Sequence, residues 1–404
     1  MHTKHLLISL VLFLALLCGL SFLAYAEDLS SEIAANNQFS FELYSKYKSN
    51  DGNIFFSPYS ISSALVMAYE GAHERTADEM QAVFHFPTDD AIRRKSFLEI
   101  HNQINKPGKK YQLRVANALW AQKDYQFLDD YFKLIEQYYA GKVTNLDFIG
   151  KTEESRVTIN SWVEEQTNDK IKDLIPQGSI DQMTRLVLTN AIYFKGSWLR
   201  QFTKEETKED YFRVDPAHTI KVPMMYLKGK AAEFNYAETD KLQILELPYE
   251  GEELSMLIFL PKDGDLKTVE SSLGAGKLLE LKTLLAREEV EIFIPKFKFD
   301  AKYFMATDLA IMGMPTAFSS VADFSGMTGK KDLYISQVIH QAFVEVNEEG
   351  TEAAAATAVA TTTSSMVQPR PKKIFEADHP FIFIIQEKET GIILFVGRVS
   401  NPKS

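Results

Sequence analysis

A chain of 404 residues with 45% hydrophobic, 12% aromatic and 25% charged side chains has enough apolar material for a large packed core, which excludes general disorder. Its net charge of −11 disfavours nucleic acid and anionic membrane as partners. The one cysteine, Cys18, excludes a disulfide framework, so the core alone must hold the fold.

The first 26 residues read as a secretory signal peptide: Lys4, a long apolar run, then Ala24-Tyr25-Ala26 as a small-x-small cleavage site. An uncleaved anchor is the other reading, because the run nears spanning length, but it ends in a good cleavage site. Cleavage leaves 27–404 as the mature domain, secreted and extracellular, or periplasmic in a Gram-negative source. Lys4 is the only charge in the leader, so the net charge moves from −11 to −12. The mature chain has no cysteine, no Asn-x-Ser/Thr acceptor and no later segment fit to span a bilayer.

Helical periodicity runs from Leu29 to Tyr47. "SPYSISSALVMAYEGA" then offers Ser57 as N-cap, Pro58 in the first turn and Gly71 as the stop. Further helices are predicted near 75–84, 91–105, 128–140 and 152–169. Apolar and branched runs predict strands at 113–121, 185–194 and 242–261, the last a hairpin turning at Glu250-Gly251. Helices are predicted again near 266–285 and 302–312, strands at 290–299 and 333–346, and a closing hairpin at 380–399 that turns at Glu389-Thr390-Gly391. Helices and strands interleave without regular alternation, which predicts an α+β fold in one unit.

Enzyme signals are weak. "SKYK" (45–48) matches Ser-x-x-Lys, but Ser-Asp-Asn and Lys-Thr-Gly are missing. No Gly-x-Ser-x-Gly elbow, His-Glu-x-x-His helix or Walker loop occurs, and "GAGKLL" lacks the flanking residues of a phosphate loop. No two of the six histidines in the mature chain form a metal-ligand pair, so neither metal nor cofactor is expected. Arg93, Arg94 and Lys95, followed by Lys106, Lys109, Lys110 and Arg114, are the one basic concentration. A solvated helix face explains them better than a glycosaminoglycan site in so acidic a chain.

One tract stands apart. "EEGTEAAAATAVATTTSSM" (348–366) separates two strong strand patterns, and from Ala353 to Gln368 it has no proline, charge or large ring. With period two, Thr351, Ala353, Ala355, Thr357, Val359, Thr361 and Thr363 share one face. Such a segment can slide into an existing sheet, because small side chains clear their neighbours and every residue can donate to the ladder. Its alanines also suit a helix, and a low-complexity surface linker has the same composition.

Its flanks resemble the serpin family, and the resemblance covers about residues 30 to 400. "NIFFSPYSISSALVMAYEGAHERTADEM" looks like the family's first buried helix, "LTNAIYFKGSW" its central-sheet strand, "FVEVNEEGTEAAAAT" the hinge of inhibitory members, and "FEADHPFIFII" with "GIILFVGRVSNP" the closing strands. The resemblance implies a mainly helical N-terminal half, a large central mixed β-sheet, further sheets and an exposed reactive-centre loop at about 348–372. It also implies a monomer that is not an enzyme but a suicide substrate. A serine protease cuts the loop, forms a covalent acyl-enzyme, and is trapped as the freed hinge side inserts into the central sheet.

The family's hinge maps to Glu348, Gly350, Thr351, Glu352, Ala353, Ala354, Ala355 and Ala356. A charge at Thr351 or bulk at Ala353 would mark a non-inhibitory carrier or chaperone, and neither is present. The sheet-opening network maps to Ser57, Ser60, Asn190 and His340, with Trp198 near the mouth of the sheet. The usual spacing puts the reactive bond at Ser364-Ser365, with Thr363 or Met366 one slip away. Small residues before that bond suit an elastase-like or subtilisin-like pocket. Arg370 precedes Pro371, which most trypsin-like enzymes do not cut before.

Overall fold

The computed structural model describes residues 29–229, 232–351 and 373–404. The leader, and the tract from Glu352 through the reactive-bond candidates Thr363, Ser364, Ser365 and Met366, lie outside the described residues.

Helix α1 covers 29–47 among these residues. Then come β1 (Ile54–Phe56), α2 (Pro58–Tyr69), α3 (Glu74–Phe84), α4 (Asp90–Ile104), β2 (Tyr111–Gln122), α5 (Asp129–Tyr139), β3 (Lys142–Leu146) and α6 (Thr152–Gln166). The middle of the chain gives β4 (Leu186–Ser197), β5 (Lys208–Asp215), β6 (His218–Leu227), β7 (Glu233–Glu238), β8 (Leu242–Pro248) and β9 (Leu254–Pro261). After α7 (Leu266–Ser272) and α8 (Ala275–Thr283) follow β10 (Ala286–Pro295), β11 (Phe297–Phe304), α9 (Ala306–Met312) and α10 (Ser325–Thr328). The last strands are β12 (Gln337–Val346), β13 (Gly350–Thr351), β14 (Lys373–Glu376), β15 (Phe381–Glu387) and β16 (Ile393–Val399).

Ser57 caps α2 as expected: its hydroxyl accepts from the Ser60 N–H, and Pro58, whose missing donor costs nothing at this position, opens the helix. Two helix expectations need correction. The stretch 266–285 is two helices broken at Leu273-Gly274, and the helix expected from 302 starts at Ala306 because β11 runs on to Phe304. The strand expected at 290–299 is two strands meeting at Lys296, and β12 begins at Gln337 rather than 333.

The strands make an α+β fold of two sheets. One runs β11-β12-β13-β4-β2-β3 and is mixed: β4 is parallel to β12 and antiparallel to β2, while β3 is parallel to β2. The other runs β1-β16-β15-β9-β8-β7-β10-β6-β5, with β14 parallel on β10; the two ends of β10 pair with different strands, β7 and β6. Phe55, Phe194, Phe297, Phe383 and Phe395 fill the core between the sheets. Leu65 and Met67 of α2 share a second core with Leu186 and Leu188 of β4. On the outer face of the mixed sheet, Ile159 and Val163 of α6 cover Trp120 and Ala191.

Candidate functional site

The seam between β4 and β12 changes character along its length. Val187 to Tyr193 of β4 pair directly with Gln337 to Phe343 of β12. Beyond them the strands part, and β13 sits between: Gly350 faces Ser197 and Thr351 faces Gly196, while Thr351 also faces Val346 of β12. Gly350 and Thr351, two residues of the expected hinge, are therefore already in the sheet, antiparallel to both neighbours.

This wedge follows from the side chains around it. A Cβ on Gly350 would stand 2.1 Å from the carbonyl oxygen of Gly196, and its φ of +155° is a second reason for glycine. Thr351 is buried, with its hydroxyl hydrogen-bonded to the Tyr249 hydroxyl at 2.8 Å. Burial pushes the Tyr249 phenol well up, so it stays protonated. The Tyr249 ring stacks on Trp198 at 4.6 Å, and the Trp198 indole N–H donates to the Asn347 carbonyl at 3.0 Å. The backbone N–H groups of Trp198 and Phe202 donate to the carbonyls of Glu349 and Glu348.

The two carboxylates are held as well. Glu348 takes Lys296 at 2.9 Å and the Thr207 hydroxyl at 2.8 Å, and Glu349 takes Lys204 at 2.6 Å. Burial alone would raise the Glu348 carboxyl; Lys296 and Thr207 outweigh it and hold it below its usual range. Of the hinge residues named from the sequence, Glu348, Gly350 and Thr351 are described; Glu352 and Ala353 to Ala356 are not.

Further down the same seam, Asn190 and His340 face each other across β4 and β12. The Ser57 N–H donates to His340 Nε2 at 3.2 Å, so Nδ1 carries the proton and donates to Asn190 Oδ1 at 2.5 Å. Burial pushes this imidazole down to about 3, so it is neutral at physiological pH. The Asn190 amide turns toward the Ser60 carbonyl at 2.9 Å, the Ser60 hydroxyl at 2.5 Å and the Asn117 side-chain oxygen. Ser57, Ser60, Asn190 and His340 thus form one buried group that ties the start of α2 to both strands of the seam. Trp198 lies apart from it, at the hinge.

Sequence reasoning missed Asn117, Tyr249, Thr207, Lys204, Lys296 and Glu349. Asn117 had a signal, an amide inside the apolar strand "LRVANALWA" at a position that faces Asn190. The lysines had none, because their partners are far away in the chain.

Of the basic stretch only Arg93 is buried, while Lys95, Lys106, Lys110 and Arg114 are exposed, as a solvated face would have them. Arg93 and Arg94 both bind Glu70 at the end of α2, at 2.9 and 2.7 Å, and the Tyr139 hydroxyl donates to the same carboxylate at 2.5 Å. Lys109 pairs with Glu253 at 2.8 Å. Among the described residues no group of three His, Cys, Asp or Glu side chains could hold a metal ion, and no helix is long and apolar enough to cross a membrane.

The family model "Serpin (serine protease inhibitor)" matches residues 34–402, and the chain belongs to the serpin family. An uncharacterized serpin-like protein of Thermococcus kodakarensis is 46% identical over 372 residues, covering 92% of this chain and 86% of that one. Human leukocyte elastase inhibitor is 44% identical over 386 residues, covering 93% of this chain and 100% of that one. Uncleaved ovalbumin superposes with a TM-score of 0.83 at 34% identity, covering 92% of this chain and 100% of that one.

Proposed function

We propose that this serpin is a secreted suicide-substrate inhibitor of elastase-like or subtilisin-like serine proteases, cut at or next to Ser364-Ser365 and trapping the acyl-enzyme by strand insertion. The observation that carries this is the register of β13. Six residues beyond Thr351 is Thr357, and six residues back from Gly196 and Val346 are Asn190 and His340. Continued, the register sets Thr357 between those two, so the incoming threonine hydroxyl can replace the hydrogen bond it separates.

The same register turns Ala353, Ala355, Thr357, Val359 and Thr361 to the buried face of Thr351. It turns Ala354, Ala356, Ala358 and Ala360 to the opposite face, the side α6 covers. It reaches the foot of β4 at residue 361, opposite Leu186, three residues before the expected reactive bond. Roughly ten new ladder bonds at about 1 kcal/mol net each give a driving force on the order of 10 kcal/mol before ordering costs. The uncut state is then a kinetically held one.

The name of the 44% identical human relative supports an elastase-like target. The leader read from the sequence supports secretion, and the uncharged Thr351 and small Ala353 argue against a carrier or chaperone role. The test mixes the mature protein with elastase-like and subtilisin-like proteases, then uses denaturing gels and mass spectrometry. A denaturation-resistant complex with one released C-terminal peptide starting at or beside Ser365 is expected. Clean cleavage without a complex by every active protease overturns the proposed targets.

A further inference from the structure

An incoming strand must push β12 and β11 away from β4, β2 and β3 by one strand spacing, about 4.8 Å. A strap of chain crosses that seam on the outer face. It consists of α6 and the segment after it, whose Ile171, Leu174 and Ile175 are buried over Val187 of β4 and Ile339 of β12.

The strap is fastened on both sides. On the β2–β3 side, Trp162 of α6 sits edge-on to Trp120 of β2 at 5.3 Å, and the Lys142 ammonium of β3 lies 5.1 Å from both rings. On the β11 side, the Lys302 ammonium donates to the Asp173 carbonyl at 2.6 Å. Asp173 is tied back to α6 through its carboxylate, which accepts from Arg156 at 2.8 Å and Asn160 at 3.0 Å. Asn168 at φ +52°, Asp169 at +59° and Asp173 itself at +50° put three non-glycine residues of this segment in the left-handed region.

The two fastenings differ in kind. The β2 side is ring packing beneath the Lys142 ammonium, a set of weakly directional contacts that can slide. On the side that moves, Ile339 and Phe343 of β12 pack on the strap and the Lys170 ammonium lies 6.0 Å from the Phe343 ring, contacts that can also slide; the Lys302 bond at the solvent rim is directional, and a displacement of about 4.8 Å breaks it outright. We propose that Lys302 is a latch: its bond to Asp173 must open before the seam can widen, so it sets the rate of loop insertion. This inference rests on the insertion reading above.

The test nicks the loop of the full mature protein with a trace of broad-specificity protease, stops the reaction, and follows how fast heat resistance develops. Lys302→Met removes the donor and keeps the stem; insertion is expected to be at least three-fold faster, with the melting point of the inserted form unchanged. Lys302→Arg, which keeps a donor, is expected to restore the slower rate, an outcome a merely structural lysine would not produce. Lys302→Leu, which also has no donor, serves in the same way should the Met variant fail to fold. Equal rates in wild type and donor-free variants overturn the latch while leaving insertion intact. A nicked wild type that never gains heat resistance overturns the insertion reading itself.

Discussion

At Gly350 the backbone of the hinge passes so close to β4 that a methyl group would stand 2.1 Å from the Gly196 carbonyl oxygen. Gly350→Ala is therefore expected to drive β13 out of the seam. The measurable outcome is a several-fold rise in inhibitor molecules consumed per protease trapped. Two buried titratable groups act on stability in opposite senses. His340 is held down to about 3, so the unfolded chain binds its proton first, and its contribution is lost as pH falls through the window from about 6.5 to 3. Burial raises Glu32 to about 8, so its contribution is present below about 4.5 and is lost as pH rises toward 8. Between about pH 4.5 and 6.5 the two slopes, each up to about 1.4 kcal/mol per pH unit, offset one another. In urea titrations Glu32→Gln is expected to become more stable as pH rises through that window, relative to wild type. An unchanged slope would contradict the assignment.

At the scale of elements, the turn between β12 and β13 works as a clamp. Lys296→Met leaves the buried Glu348 carboxylate with the Thr207 hydroxyl as its remaining side-chain partner, and a loss of about 1–3 kcal/mol in urea unfolding is expected. No loss would show that the carboxylate finds water instead. Periodicity or an unbroken apolar run made α1 to α6, β2, β4 and both hairpins legible: α5 buries one face, whereas α2, β4 and the closing strands are buried on every side. It left β5, β6 and β7 unseen: in "KEDYFRVD" only Phe212 is buried, so an outer strand has no alternation to read. Chain-distant partners were invisible for a similar reason. Ser57, Ser60, Asn190 and His340 could be named through the resemblance, whereas nothing in the sequence links Lys204 to Glu349 or Tyr249 to Thr351.

At the scale of the whole molecule, the described fold is one strand short of a continuous seam. The mixed sheet is open at one end, where Gly350 and Thr351 have entered, and closed at the other by direct pairing of β4 with β12. On the insertion reading, direct pairing of β4 with β12 is the less stable of two arrangements of this sheet. The most direct measurement compares the melting temperature of the intact mature protein with that of the same protein after a single cut near Ser364. Full insertion is expected to raise it by up to about 20 °C, since each 1 kcal/mol of the roughly 10 kcal/mol driving force is worth about 2 °C or less in a chain of this size. A cut protein that melts at or below the intact one would contradict the account.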